Sequence, residues 1–227
     1  MGQDIPFHAR FCRRTPCPGT YGSHPGVPSV ADGSSPAGFI PLSDFGVVAD
    51  PIADEAIANY DVPDFTYNGR TFNQIGVDSN GYLVAGGGTS SDNECCTTNL
   101  PTASAPNNIL APVWTDMDGT GTPGISVRVL GDGVNNWVIV EWDVNIWGTS
   151  DRQHMQTWIG IDGPQDITYT YGVQPSGPAQ PYAIGAENSE GVGQAFSGFP
   201  IGDQHDDLAP FLGHDDREVE RHRHTVS

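Results

Sequence analysis

Lysine is missing altogether from the 227 residues, so arginine is the only fixed cation of the chain. Nine arginines stand against 28 Asp and Glu residues, and the formal net charge is −19. Nucleic-acid phosphates and anionic lipid are bound by clustered Lys and Arg, so this composition excludes nucleic acid as a partner. Cationic partners such as calcium or a basic protein surface stay open. A strongly acidic surface also keeps a protein soluble outside the cell.

Long hydrophobic runs are missing as well. No segment reaches the ~18 apolar residues that a membrane-spanning helix needs, so we predict no membrane span. The N-terminal sequence MGQDIPFHARFCRRTPCPG has arginines but no apolar core, and it is therefore not a signal peptide as written. The remainder of the chain nevertheless has the composition of a secreted protein, and we predict an extracellular location.

Cysteines are few and unevenly placed. Cys12 and Cys17 lie in the N-terminal segment, whereas Cys95 and Cys96 are adjacent in a polar loop. Four cysteines allow three pairings, and the sequence does not choose between them. The spacing is not that of structural zinc sites, which favours disulfides or free thiols over a metal.

Convincing amphipathic helices are absent, and strand patterns take their place. The Asn68-Gly69 and Asn80-Gly81 pairs predict tight hairpin turns, because both residue types tolerate positive φ. Residues 137–142 are apolar on both faces apart from Glu141, as in a central strand, and Pro112 predicts an edge or a bulge. About nine strands at regular spacing predict an all-β fold, a two-sheet antiparallel β-sandwich of jelly-roll-like type.

Composition divides the chain into three parts. We predict that residues 1–37 are a disordered linker, that residues 38–199 form the β-sandwich domain, and that residues 200–227 are a disordered acidic and histidine-rich tail. The last clear strand is predicted over residues 181–186. Beyond Gln194 a charged tail stands where a closing strand is expected, which suggests a truncated or frame-altered version of a longer protein.

The sequence does not contain the residue pattern expected of a Ser-His-Asp catalytic site. Only His154 lies within the strand region, and the other six histidines lie in the terminal segments. Gly88-Thr89-Ser90 resembles a fragment of the subtilisin serine motif, but no partner motif for the histidine or aspartate is present. We therefore predict no catalytic residue.

A pair of carboxylates offers a second chemical hypothesis. Glu141 and Asp143 are two residues apart on one predicted strand, so they share a face. Jelly-roll glycosidases use a Glu-x-Asp-x-x-Glu strand, but the third position here is Ile146, and the acid that a retaining mechanism requires is missing. The alternative is that Glu141 pairs with an arginine such as Arg152 or Arg128.

Residues 116–119 match the first half of a calcium-binding loop motif. Asp116 and Asp118 place oxygen atoms at alternate positions before Gly119, as at the start of an EF-hand loop. The twelfth position, where that motif has a bidentate Glu, is Val127. We predict Asp116 and Asp118 as metal ligands for calcium, and no other cofactor.

Several segments together resemble known domains. One set of segments includes GFIPLSDFG, NNWVIVEWDVNIWG, QTWIGIDGPQDITYTYG and IGAEN. With these segments the chain resembles an accessory β domain found C-terminal to the catalytic domain of secreted bacterial subtilisin-like serine proteases. Two further segments, VDSNGYL and PNNILAPVWTDMDG, are similar to the nidogen-type extracellular β domain.

The resemblance implies a non-catalytic accessory module of a secreted serine protease, acting in substrate or surface binding. Its expected partners are the catalytic domain of the parent protease and a protein or polysaccharide surface. Two alternatives stay open. One is a degenerate carbohydrate-active jelly roll that uses Glu141 and Asp143, and the other is a calcium-dependent adhesion module around Asp116 and Asp118.

Overall fold

The structure is a computed structural model that describes residues 38–96, 99–131, 135–161, 167–172, 178 and 180–196. The linker predicted for residues 1–37 and the tail predicted for residues 200–227 lie outside these ranges. No helix in the described part of the chain is both long enough and apolar enough to span a membrane.

The described residues build two antiparallel β-sheets, which confirms the predicted all-β sandwich. One sheet has the strand order β1-β2-β3-β4-β10-β11. In the other sheet β7 is central, with β8 and β9 on one side and both β5 and β6 on the other. The strands are β1 Ile57–Tyr67, β2 Arg70–Asp78, β3 Leu83–Ala85, β4 Ile109–Trp114, β5 Met117–Asp118, β6 Gly124–Gly131, β7 Asn136–Ile146, β8 Arg152–Gly160, β9 Ile167–Tyr171, β10 Ala183–Glu187 and β11 Gly193–Phe196.

Both hairpins predicted from Asn-Gly pairs are present. Asn68 and Gly69 join β1 to β2 with φ values of 48° and 71°, the double positive φ of a type I′ turn. The second turn joins β2 to β3, with Gly81 at φ 81°. Local turn chemistry therefore determines the register of this end of the first sheet.

Pro112 lies in a bulge and not at an edge. β4 pairs with β3 on one side and with β10 on the other. The pairing with β10 shifts between Ala111 and Trp114, so the residue that cannot donate a hydrogen bond sits where the ladder is interrupted. Beyond Trp114 the chain leaves the first sheet and begins β5 in the second, so the apolar segment over residues 109–117 serves both sheets.

The main core lies between the two sheets, and β7 shows how the sequence builds it. Val138, Val140 and Trp142 point into this core, whereas Trp137 and Ile139 lie on the opposite face of the strand. Trp137 and Trp142 thus lie on opposite faces of the strand. Both tryptophans are buried.

The outer face of the second sheet is covered by residues 39–47, here called the N-terminal strap. The strap contains the short 3₁₀ helix Leu42–Phe45. Leu42 is fully buried and packs with Trp137, Ile139 and Trp158. The second sheet is therefore buried on both faces at this level.

The first sheet extends further than the sequence patterns predicted. The strand predicted over residues 181–186 corresponds to β10, and β11 then pairs with it along the edge of the sheet. Gly193 allows this close return, because a Cβ atom there would lie 1.9 Å from the carbonyl oxygen of Ala186.

Candidate functional site: an acidic cluster at the sheet crossover

The turn between β2 and β3 ties the two sheets together. The indole Nε1 of Trp142, on the second sheet, donates to the carbonyl oxygen of Asp78 at 2.8 Å. The backbone N–H of Met117 donates to Asn80 Oδ1 at 2.9 Å, where the chain crosses between sheets. A short polar turn thus fixes the crossover and the residues around it.

Three carboxylates meet beside this turn and form what we call the acidic cluster. Oxygen atoms of Asp54, Glu55 and Asp116 all lie within 4.8 Å of one another. The amide of Asn80 donates to Glu55 Oε2 at 3.4 Å. Asp54 Oδ1 is shielded from solvent and accepts no hydrogen bond from the described residues. The cluster therefore concentrates negative charge with few compensating donors.

The electrostatics of the cluster show this crowding. Burial raises the pKa of Asp116 above its ordinary value, and the charges of Asp54 and Asp118 raise it further. Burial also raises the pKa of Glu55, with further contributions from Asp54, Asp116 and Glu94 that outweigh the Asn80 hydrogen bond. A bound cation would relieve this repulsion.

The two residues predicted as calcium ligands are therefore placed differently. Asp116 belongs to the acidic cluster, whereas Asp118 Oδ1 accepts the backbone N–H of Thr120 at 2.7 Å in a local turn. Asp54 and Glu55, which come from the segment before β1, are the partners that the sequence did not predict. No local pattern joins them to Asp116, which lies some sixty residues later in the chain.

A vicinal disulfide lies next to the acidic cluster. Cys95 is bonded to Cys96, which settles the pairing of these two residues, while Cys12 and Cys17 lie outside the described residues. Cys96 Sγ is 3.8 Å from Asp116 Oδ2. Sulfur and carboxylate atoms of Cys95, Cys96 and Asp116 form a second group within 4.8 Å.

Two aromatic rings in tilted contact hold the loop that carries this disulfide. The rings of Tyr82 and Trp114 lie 4.4 Å apart between centroids. The Tyr82 hydroxyl donates to the carbonyl oxygen of Asp92 at 2.6 Å and accepts the backbone N–H of Glu94 at 2.9 Å. Trp114 Nε1 donates to the carbonyl oxygen of Glu94 at 2.8 Å. The loop is thus anchored immediately before Cys95.

Comparison with family models assigns the domain type. The model described as NIDO related matches residues 34–199, which include both the turn at Asp78–Gly81 and the crossover at Asp116. The chain belongs to the NIDO-related family. This supports the nidogen-type resemblance of VDSNGYL and PNNILAPVWTDMDG, the two segments that meet at the acidic cluster. Among curated proteins and among solved structures, no match to the chain is found.

NIDO-related domains are typically extracellular, in agreement with the predicted location. The charge distribution of this NIDO-related domain fits such a setting. In the part of the chain that the structure describes, Arg70, Arg128 and Arg152 are the only arginines, and acidic residues far outnumber them.

Glu141 and Asp143 lie on the outer face of the second sheet of the NIDO-related domain, away from the acidic cluster. Asp143 forms a bidentate ion pair with Arg152. The alternative that Glu141 pairs with an arginine such as Arg152 or Arg128 is not observed among the described residues, because Arg152 binds Asp143 directly and interacts with the charge of Glu141 only from a distance. The register explains this, because Gln156 lies directly opposite Glu141 and Arg128 lies opposite Ile139.

Glu141 itself is enclosed by the fold. Its side chain accepts hydrogen bonds from the backbone N–H of Leu42 at 2.9 Å and from Gln156 Nε2. His154 Nε2 lies 3.1 Å from Glu141 Oε1, and the imidazole stacks edge-on against Phe39 at 4.5 Å. Glu141 is only 5% exposed. The carboxylate thus anchors the N-terminal strap, and its Oε2 atom is covered by it.

One large aromatic residue is exposed at the crossover. Trp147 is 53% exposed, and its backbone N–H donates to the carbonyl oxygen of Asp116 at 3.0 Å. An accessible indole and the acidic cluster therefore lie at the same end of the domain.

Proposed function

We propose that this NIDO-related domain is a non-catalytic extracellular binding module and that its binding end is the acidic cluster, occupied by calcium. The supporting observation is the convergence of three carboxylates, Asp54, Glu55 and Asp116. Glu141 and Asp143, the carboxylate pair considered for catalysis, already have partners. Asp143 binds Arg152, and Glu141 accepts hydrogen bonds from Gln156 and from the strap.

The ligand set favours calcium over softer cations. All three groups offer carboxylate oxygen, the donor that Ca²⁺ prefers at ~2.3–2.6 Å. Two such ligands on opposite sides of the ion would be about 4.8 Å apart, and the clustered oxygens lie within that span of one another. Asp118 contributes negative charge from the next turn and serves as a further candidate ligand.

Calcium titration tests this proposal directly. We expect millimolar calcium to raise the melting temperature, and Asp116→Asn and Glu55→Gln to reduce the shift to less than about half. Asp64→Asn is the matched control, because it removes the same charge from an exposed position on β1. An equal shift in all four proteins, or no calorimetric heat with calcium, would refute the site.

We further propose that the module acts beside the catalytic domain of a serine protease and contributes contact with a protein or polysaccharide surface. The ordered segments that resemble protease accessory domains support this. The isolated chain should hydrolyse neither casein nor peptide esters, and fusion to a protease domain should lower KM for a bulky substrate while leaving small esters unaffected. Labelling of the isolated chain by a serine-hydrolase probe would exclude a non-catalytic role.

The exposed Trp147 favours polysaccharide as the bound surface. Sugar rings pack against accessible indole faces, and carboxylates accept hydrogen bonds from sugar hydroxyls. A panel of insoluble polysaccharides should retain the wild-type chain and release Trp147→Ala. The carbohydrate-active alternative centred on Glu141 predicts instead that Glu141→Gln abolishes hydrolysis of one of these substrates.

A further inference from the structure

The vicinal cysteines and Asp116 lie close enough together to become ligands of one metal ion once the disulfide is open. Their sulfur and carboxylate atoms lie within 4.8 Å of one another, with 3.8 Å between Cys96 Sγ and Asp116 Oδ2. In tetrahedral zinc sites, bonds of ~2.3 Å to sulfur and ~2.0 Å to oxygen place these two ligands about 3.5 Å apart. The side chains are therefore near ligating positions, but both sulfurs are occupied by the bond between them.

The surroundings allow this bond to open without loss of the arrangement. Cys96 is exposed, so a reductant can reach the disulfide. The backbone at Glu94 is fixed by Tyr82 and Trp114, and Asp116 is fixed through its carbonyl oxygen by Trp147 N–H and by Gln180 Nε2. The two thiols would thus stay beside the carboxylate after reduction.

We propose that reduction of the Cys95–Cys96 disulfide creates a binding site for one soft divalent cation such as Zn²⁺, with both thiolates and the Asp116 carboxylate as ligands. A phosphine supplies the two electrons and becomes a phosphine oxide, and water supplies the oxygen and the two thiol protons. Metal binding then releases both protons, because the thiolate is the ligand. Water occupies the fourth position of the tetrahedron.

This site shares one residue, Asp116, with the calcium site proposed above, and it does not depend on that proposal. With the disulfide intact, the two sulfurs are bonded to each other, and the oxygen ligands available beside Asp116 are those of Asp54 and Glu55. With the disulfide reduced, the two thiolates can bind one cation together with Asp116. Thiolate ligands bind zinc in preference to calcium. Only this last step rests on the calcium site proposed above: when calcium occupies the acidic cluster, the redox state of the Cys95–Cys96 bond determines which class of cation the crossover binds.

The test uses the full chain with Cys12 and Cys17 replaced by Ser, so that Cys95 and Cys96 are the only sulfur pair. The protein is reduced with a phosphine, freed of the reductant and titrated with Co²⁺ or Cd²⁺. The readout is thiolate-to-metal charge-transfer absorption, which histidines in the tail do not produce. We expect one equivalent to bind after reduction and no such absorption before it.

Variants then separate the ligands. Asp116→Asn should weaken metal binding by at least about tenfold, and Cys95→Ser with Cys96→Ser should abolish the absorption. Glu55→Gln should weaken calcium binding and leave the thiolate site intact, so failure of one site is distinguishable from failure of the other. The inference is overturned if the reduced, unmutated pair shows no charge-transfer band, or if Asp116→Asn binds as tightly as the parent.

Discussion

At the scale of single residues, Gly81 is required both by its backbone conformation and by its close neighbours. Its φ is 81°, and a Cβ atom would lie 2.0 Å from the carbonyl oxygen of Val113 and 2.8 Å from Met155 Cε. Gly121 has a similar φ of 73°, but no atom lies within 4 Å of its Cβ position. A side chain at Gly121 would cause backbone strain only, whereas one at Gly81 would cause both backbone strain and a steric clash.

We predict that Gly121→Ala lowers the free energy of unfolding by about 1 kcal/mol through backbone strain alone. Gly81→Ala adds the clash with Val113 and should cost at least about 2 kcal/mol more. Urea denaturation of both variants measures the difference. Equal losses would mean that the turn can move away from Val113.

Glu187 is a buried carboxyl group that links β10 to the loop before β4. It is 1% exposed, and its Oε2 accepts the backbone N–H of Thr102 at 2.7 Å. Burial raises its pKa to about 7, and that hydrogen bond only partly opposes the shift. Asp78, fully buried in the turn between β2 and β3, also has its pKa raised to about 7 by burial.

These shifts give stability a definite dependence on pH. The folded state binds these protons more tightly than the unfolded state, so the free energy of unfolding falls as pH rises from about 4 to about 7. Glu187→Gln should remove up to about 3 kcal/mol of this decrease, whereas the exposed Glu190→Gln should change it little. Urea denaturation at several pH values checks both. An unchanged pH slope in Glu187→Gln would contradict the assignment.

At the scale of elements, the N-terminal strap contributes packing that the strands alone lack. Leu42 is fully buried against Trp137, Ile139 and Trp158, and its backbone N–H binds Glu141. The strap should therefore unfold together with the sheet and not as an independent tail.

Leu42→Ala should lower the free energy of unfolding by about 2–4 kcal/mol, because it leaves a cavity over the second sheet. Val48→Ala is the control, since Val48 is adjacent to the strap and 86% exposed. Tryptophan fluorescence during urea unfolding reports on both, as Trp137 and Trp158 line the cavity. A loss no larger than that of the control would show that the strap is dispensable.

The sequence predicted those elements whose causes are local. Asn68-Gly69 and Asn80-Gly81 determine their own turns, and the apolar run over residues 137–142 indicates a central strand covered on both faces. The sequence patterns did not predict the acidic cluster. Asp54 and Glu55 lie near Asp116 only because the chain crosses between the two sheets at that point. Likewise nothing near Glu141 indicated that Leu42, a hundred residues earlier, would donate to it. Long-range polar contacts depend on register and layer order, which single-sequence periodicity does not specify.

At the scale of the whole molecule, the uneven charge balance opposes folding. The described residues carry 16 Asp and Glu against three arginines, so many carboxylates repel one another across a compact surface. Screening by salt shortens the range of this repulsion from ~10 Å at 0.1 M to ~3 Å at 1 M.

We therefore predict that the melting temperature rises as sodium chloride is increased over that range at neutral pH. Asp116→Asn should show the same rise with sodium chloride, because screening acts on all surface charges. It should not show the rise in melting temperature that calcium causes in the wild-type protein. Thermal denaturation with each salt at matched ionic strength distinguishes the two effects. A melting temperature that falls with sodium chloride would indicate that attractive ion pairs dominate.

The return of β10 to β4 has a consequence for the order in which the domain forms. One edge of β4 pairs with β3, which precedes it in the chain. Its other edge pairs with β10, which follows roughly 70 residues later, after the strands of the second sheet. During synthesis the six residues of β4 have one edge whose hydrogen-bonding groups are unpaired and open to pairing with another chain. Closure by β10 covers this edge, so we expect slow closure to favour aggregation of nascent chains.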